Sequence, residues 1–473
     1  MEKNISTKKP QLWSRGMAFV RESLRDNDID YTTGRIGRAL GLLAIPMMLE
    51  MSMESVFAVV DIAYVSRLGT DAVAAVGITE ALVTVLYAVA IGLGMAVTAM
   101  ISRRIGANDP EAAASVAGQA LWIGAALSVL IGILGVTYAA DMLRLMGASA
   151  NVVETGTGFA AVLLGGSISI VYLFLLNAAF RGAGDATVAL RSLWLANGLN
   201  IVLDPCFIFG LGPFPEMGVT GAAVATTIGR SIGVLYQLWH MFDGNGRLRL
   251  RLRNLRIRPA MATRMLVISL GGIGQFLIAT ASWMLIMRII ALYGSTAVAA
   301  YTIALRILEF VWLPAWGLGN AAATMVGQSL GAQKPERAEQ AAWQAAKFNL
   351  VFMTAVGGII IAFSMPITGL FSDDPEVMRY GTTCLRILGL GFPLSAIGII
   401  ISQAFNGAGD TTTPTVMNLV CFWLIQIPLA YWLAKGVELG PNGAFVAMVI
   451  AEGLLTVMGV VLFRRGNWKL KAA

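Results

Sequence analysis

Apolar stretches of twenty or more residues follow one another along almost the whole chain, interrupted by short clusters of Gly, Pro, Asp and basic residues. Each stretch is long enough for a helix to cross a hydrocarbon core of roughly 30 Å at about 1.5 Å per residue. Cutting at the polar clusters predicts twelve spans, near residues 37–66, 72–101, 113–138, 152–181, 188–211, 218–242, 262–291, 297–327, 338–370, 377–405, 413–434 and 442–463. A membrane barrel would need alternating segments of about ten residues, whereas these runs are continuously apolar. The pattern therefore predicts an all-α polytopic membrane protein.

Composition agrees. Of 473 residues 57% are hydrophobic and 13% charged, too few charges for a soluble surface of that size. The opening "MEKNISTKKPQLWSRG" has no apolar core of a cleavable signal, so the first span is expected to direct insertion. Cys206, Cys384 and Cys421 lie in apolar segments without metal-type spacing and read as packing residues. The single histidine, His240, ends an apolar run and reads as a helix-end residue.

Charge then orients the bundle. Basic residues gather on alternate connections: the N-terminal segment with Lys3, Lys8 and Lys9, then Arg103 and Arg104, the run "RLRLRLRNLRIR" from Arg247, Lys334 with Arg337, and Arg464 to Lys471. The opposite connections carry few, such as Arg67 and Arg144, mixed with acids. The positive-inside bias puts both termini in the cytoplasm of a cell with this protein in its inner (plasma) membrane. Period-two alternation in the arginine run suggests a short strand, but its position between the sixth and seventh spans favours a connection lying against anionic lipid heads, with a partner-binding strand as the alternative. No base-reading surface accompanies it, so no nucleic-acid partner is expected.

The chain also repeats itself. "GTDAVAAVGI" from Gly69 returns as "GSTAVAAYTI" from Gly294, "IGANDPEAA" from Ile105 as "LGAQKPERA" from Leu330, and "AFRGAGDAT" from Ala179 as "AFNGAGDTT" from Ala404, each 225 residues on. "GAAVA" from Gly221 returns as "GAFVA" from Gly443, three residues short of that offset. Two homologous six-helix lobes follow, parallel because six is even. The expected organisation is a cytoplasmic segment 1–36, an N-lobe 37–242, a basic linker 243–261, a C-lobe 262–463 and a tail 464–473.

Charges inside spans are the candidates for chemistry, because an ionised group at mid-bilayer costs at least ~2.5–3.5 kcal/mol. Glu50, Glu54 and Asp61 fall on one narrow stripe of the first span at about 100° per residue. Asn197, Asn200 and Asp204 share a face of the fifth, followed by Pro205, which frees a backbone oxygen. Asp61 and Asp204 come late in helices that start on the same side, so they are at matching depth. Such oxygens suit a small cation; the alternative is a set of paired structural groups. The repeat offset puts Ile286 and Leu429 where Asp61 and Asp204 stand, so these acids belong to one lobe only. Arg306 with Glu309 reads as a self-neutralising pair, and Arg230, Arg288 and Lys347 as snorkelling residues near helix ends. "RGAGD" and "NGAGD" read as tight turns, since neither has the lysine of a phosphate loop.

"AIPMMLEMSMESVFAVVDIAYVSRLG", "RGAGD", "NIVLDPCFIFGLG", "GVTGAAVAT" and "FNGAGDTTTP" together resemble the multidrug and toxic compound extrusion (MATE) family over nearly the whole chain. The resemblance implies a V-shaped twelve-helix antiporter exporting cationic or amphipathic organic compounds in exchange for protons or sodium ions; no cofactor and a monomeric state are expected. By the same resemblance Asp61, Asp204, Asn200 and Asn177 match an N-lobe cation network, with Thr226 a further match in the sixth span. Glu54 stands where relatives often carry Gln, and an extra acid there favours a proton or supplies a sodium ligand. Gln275 stands in the seventh span where some relatives have an acid, which argues against a C-lobe cation site. Two rivals remain. A flippase for pyrophosphate-linked lipids would need a basic cavity, and a membrane-embedded enzyme would need a catalytic constellation, of which none is visible.

Overall fold

The computed structural model describes residues 9–25, 29–243 and 246–471, so the expectations on Lys3 and Lys8 lie outside the described residues. Among these residues the chain is helical throughout, with no strand. A short helix, α1 (Lys9–Ser23), precedes the bundle. The first six spans are α2 (Ile36–Val65), α3 (Thr70–Gly106), α4 (Pro110–Leu145), the bent pair α5 (Ala150–Gly165) and α6 (Ser167–Ala183), α7 (Ala186–Phe209) and α8 (Val219–Asp243). The second six are α9 (Pro259–Ala291), α10 (Ser295–Gly331), α11 (Pro335–Gly369), α12 (Pro375–Gly407), α13 (Thr412–Gly436) and α14 (Pro441–Arg464).

Local chemistry sets these limits. Pro110, Pro259, Pro335, Pro375 and Pro441 each open a helix, where a missing N–H costs nothing. Asp109 and Asp374 add side-chain caps, accepting from the backbone N–H of Ala112 at 2.9 Å and of Glu376 at 2.8 Å. Ten helices are long and apolar enough to cross a membrane alone, and α5 with α6 makes an eleventh, bent by 44°. The bend falls at Gly166, where a side chain would meet Thr227 of α8. The 25-residue α8 is long enough but more polar, because it carries Arg230, Gln237 and His240. In α13 the turns widen at Leu419–Gln426 and Trp432–Gly436, on either side of Pro428, which cannot donate to the helix.

The two lobes face each other across a pseudo-two-fold axis. A methyl group on Gly106 would collide with the carbonyl of Gln328, and one on Gly331 with that of Arg103. These are the same contact with partners exchanged by the 225-residue offset. Gly92 against Ile273 and Gly317 against Met48 form a second exchanged pair. Such isologous contacts are what a two-fold demands. All four glycines lie in the halves of α3 and α10 nearest the basic connections, so the lobes meet backbone to backbone at that end.

A strap seals the same end. Residues 29–34 run from one lobe to the other: the buried Tyr31 hydroxyl donates to the Gly184 carbonyl at 3.3 Å, and its ring lies under the Arg247 guanidinium. Burial pushes the Tyr31 phenol up to about 12, so it stays a donor. On the other side Arg337 donates to the carbonyls of Tyr31, Thr33 and Gly34 at 2.6–3.2 Å, and Lys334 to that of Thr32 at 3.0 Å. Arg337→Ala is expected to loosen the strap and speed tryptic cleavage after Arg35; an unchanged cleavage rate would contradict this anchoring.

The arginine run forms no strand. Leu248 and Leu250 are buried while Arg249 and Arg251 face out, and Leu252–Leu255 closes a tight turn on the start of α4. There the buried Asn254 and Arg253 bind Glu111, and Gln119 and Trp122 donate to the carbonyls of Arg256 and Leu255. The alternation thus reflects a linker that packs Leu248 and Leu250 on the bundle, while Leu252 and Ile257 stay exposed.

Candidate cation site in the amino-terminal lobe

The stripe Glu50, Glu54 and Asp61 on α2 faces protein, but each acid meets a different partner because each lies at a different height. Glu50, nearest the strap, is fully buried and forms a 2.7 Å ion pair with Arg181 at the end of α6. Glu54, one turn on, accepts from Asn197 Nδ2 at 3.1 Å and lies 3.9 Å from Arg230 of α8. Arg230 is therefore no snorkelling residue. It stands midway along α8, buried, donating to the Tyr87 hydroxyl at 3.1 Å with the rings of Phe57 and Tyr87 about its guanidinium.

Asp61 meets Asp204 of α7. The two carboxyl groups face each other at hydrogen-bonding range, a contact in which neither carboxylate is a donor. It becomes a hydrogen bond only when one of them holds a proton. Asp204 is fully buried, and its Oδ1 accepts from Asn200 Nδ2 at 3.2 Å, which also reaches Thr226 Oγ1 at 2.9 Å. Asp61 Oδ1, Asp204 Oδ2 and Asn200 Oδ1 have no donor among the described residues. Arg230 acts on Asp61 only through space. Three acceptor oxygens without donors, on α2 and α7 with Thr226 of α8 beside them, make an electron-rich cluster inside the first lobe.

Other expected members lie elsewhere. Asn177 on α6 accepts a short hydrogen bond from Gln237, eleven residues beyond Thr226 on α8 and so about 16 Å along that helix. It does not touch the Asp61–Asp204 pair. Asn197 serves Glu54. Gln275 in the C-lobe exchanges hydrogen bonds with Asn406 at 2.9 and 3.2 Å. That pair explains Glu50: Gln275 and Asn406 stand 225 residues beyond Glu50 and Arg181, so one interhelical clasp is ionic in the first lobe and neutral in the second. Arg181 is a residue that sequence reasoning missed, having taken "RGAGD" only as a turn. Gly184 does make that turn, at φ 90°. Glu80 of α3 was missed too. It is exposed, within electrostatic reach of Asp61 and of Arg306 and Glu309 on α10 of the other lobe. Arg306 and Glu309 do pair, at 3.6 Å, but more than half exposed.

A family model described as MatE matches residues 46–206 and, a second time, 273–432. The chain belongs to the MATE family. Its two matched segments fall one in each of the two lobes of twelve transmembrane helices described above. The similarity to individual MATE proteins runs end to end. A protein of Thermotoga maritima described as probable multidrug resistance protein NorM is 28% identical, covering 92% of this chain and 94% of its own. A protein of Shewanella oneidensis described as an FAD transporter is 27% identical, covering 91% and 95%. A solved structure described as the outward-facing conformation of a multidrug resistance MATE family transporter superposes with a TM-score of 0.88 at 29% identity, covering 95% of this chain and all of the other. As a member of the MATE family this multi-pass membrane protein is a transporter and not an enzyme.

Proposed function

We propose that this MATE transporter exports cationic or amphipathic organic compounds from the cytoplasm in exchange for protons, by alternating access of its two lobes. The observation that carries the reading is the Asp61–Asp204 contact. Two carboxyl groups at hydrogen-bonding range repel each other when both are ionised, and a single proton halves their charge and bonds the pair. Asn200 and Thr226 hold Asp204 in place. Sodium is the competing ion, and direct approach of the two carboxyl groups supports the proton.

The cargo follows from the charges at the mouth. Glu80 and Asp61 on one lobe and Glu309 with Arg306 on the other leave that region acid-rich, which draws organic cations and repels the pyrophosphate of a lipid-linked sugar. The multidrug resistance relative supports the same cargo class. The glycine contacts and the strap close the end with the basic connections; by the positive-inside bias that end is cytoplasmic, so the state described is closed to the cytoplasm. Both termini then lie in the cytoplasm of a bacterial plasma-membrane protein that works as a monomer.

Reconstituted vesicles test this. An imposed proton gradient is expected to drive accumulation of ethidium, a sodium gradient alone is not, and FAD, an anionic solute, is not expected to move. Movement of FAD with no movement of ethidium would overturn the cargo class, and ethidium flux driven only by sodium would overturn the ion.

A further inference from the structure

The C-lobe has its own counterpart of the N-lobe site, with the charge inverted. Glu452 of α14 stands 222 residues beyond Arg230, the offset of the "GAAVA" and "GAFVA" repeat, and Trp312 of α10 stands 225 beyond Tyr87. The guanidinium and its tyrosine in the first lobe are thus replaced by a carboxylate and a tryptophan. Glu452 opens on a small cavity between α9, α10, α12, α13 and α14, with room for a group of about the size of water or a bare ammonium. Its walls are Trp283, Trp312, Phe392 and Gln426, with Ser395 at hydrogen-bonding range of the carboxylate. The two indole rings stack with centroids 5.6 Å apart and planes 17° from parallel, and both are half-buried.

No Lys or Arg makes an ion pair with Glu452 among the described residues. A carboxylate at mid-membrane without a cationic partner is costly, and a wall of aromatic rings worsens it, because the faces of π-systems are themselves electron-rich. Both penalties reverse when an organic cation enters: the carboxylate gains its counter-charge and the tryptophans gain a cation–π partner. A bare metal ion is served poorly, since it wants several oxygen ligands and this wall offers mainly carbon.

We propose that Glu452, Trp283 and Trp312 form a second cation subsite, in the C-lobe, that takes the protonated amine of an amphipathic organic monocation. This deepens the exporter reading, on which it rests for the ligand being cargo. It also separates the two tasks by lobe: the proton is held in the first, the amine in the second.

The test uses the full-length protein in lipid nanodiscs, with 4-phenylbutylamine as probe and 4-phenylbutanol as its neutral analogue, by calorimetric titration. Wild type and Asp204→Asn are both expected to bind the amine. Glu452→Gln is expected to weaken amine binding at least tenfold while leaving the alcohol unchanged, and Trp312→Leu, which keeps the carboxylate, to weaken it several-fold. Unchanged amine affinity in Glu452→Gln, or equal losses for amine and alcohol, would overturn the subsite. Gradient-driven ethidium flux in the same variants distinguishes the failures. Flux that depends on Asp204 beside amine binding indifferent to Glu452 removes only the subsite, whereas Glu452-dependent amine binding in a wild type that moves no cation removes only the exporter reading.

Discussion

Asp204→Asn is expected to abolish proton-driven accumulation of an organic cation, down to the leak of protein-free vesicles, while the protein remains as heat-stable as wild type or becomes more so. The side chain that replaces Asp204 keeps the shape of the carboxyl group, and its Nδ2 can donate to Asp61, so the contact that now needs a proton is made permanently. The site then has nothing to release, and a gradient has nothing to act on. Stability does not fall with transport, because the amide makes the contact without a proton and the like-charge repulsion of the deprotonated pair can no longer arise. Asp61→Asn should behave alike, since the pair titrates as one unit. A purely structural pair would give the opposite result: lower thermal stability, with residual transport in proportion to the folded protein. Gradient-driven uptake and the fraction of protein monodisperse after heating, measured on the same preparations, separate the two.

The second large effect is expected at Glu50 and Arg181. Removing one partner of a buried ion pair leaves the other charge uncompensated, at a cost of about 3–5 kcal/mol. Glu50→Gln and Arg181→Asn should each lower the melting temperature markedly, as Glu50 is fully buried and Arg181 nearly so. The double variant installs the Gln275–Asn406 clasp of the second lobe at the equivalent place in the first, and is expected to recover most of the loss. Melting of the four proteins gives the cycle directly; additive losses in the double variant would show that the two side chains do not act as a pair. Transport by the double variant should persist, because the clasp is absent from the ion path proposed here.

The lobes, the repeat and the order of the spans could be read from the chain because they rest on periodicity and offset, which packing does not alter; the run of α4 on to Leu145 and the break at Gly166 could not. Asp61 and Asp204 could also be brought together in advance, since shared depth and inward faces leave few other choices. What could not be read is which neighbour each acid meets. Glu50, Glu54 and Asp61 share one stripe, yet height along α2 divides them among Arg181, Arg230 and Asp204. Helical phase fixes direction and leaves the partner open. Asn177 shows the same limit: it is buried in the right lobe but bonded to Gln237, well away from the pair. Arg230 was misread although its sequence position is central in its span, because a basic residue in an apolar run is more often found near an interface. Arg181 had a signal that went unused. At one offset Glu50 becomes Gln275 while Arg181 becomes Asn406, and a joint change from charged to neutral at two positions marks a contact.

Proton release on cargo binding tests the central claim most directly. Detergent-solubilised protein in weak buffer, titrated with ethidium beside a pH indicator, should release about one proton per bound cation in the wild type and none in Asp204→Asn. Equal release by both proteins, or binding with no release by the wild type, would contradict a proton held between Asp61 and Asp204.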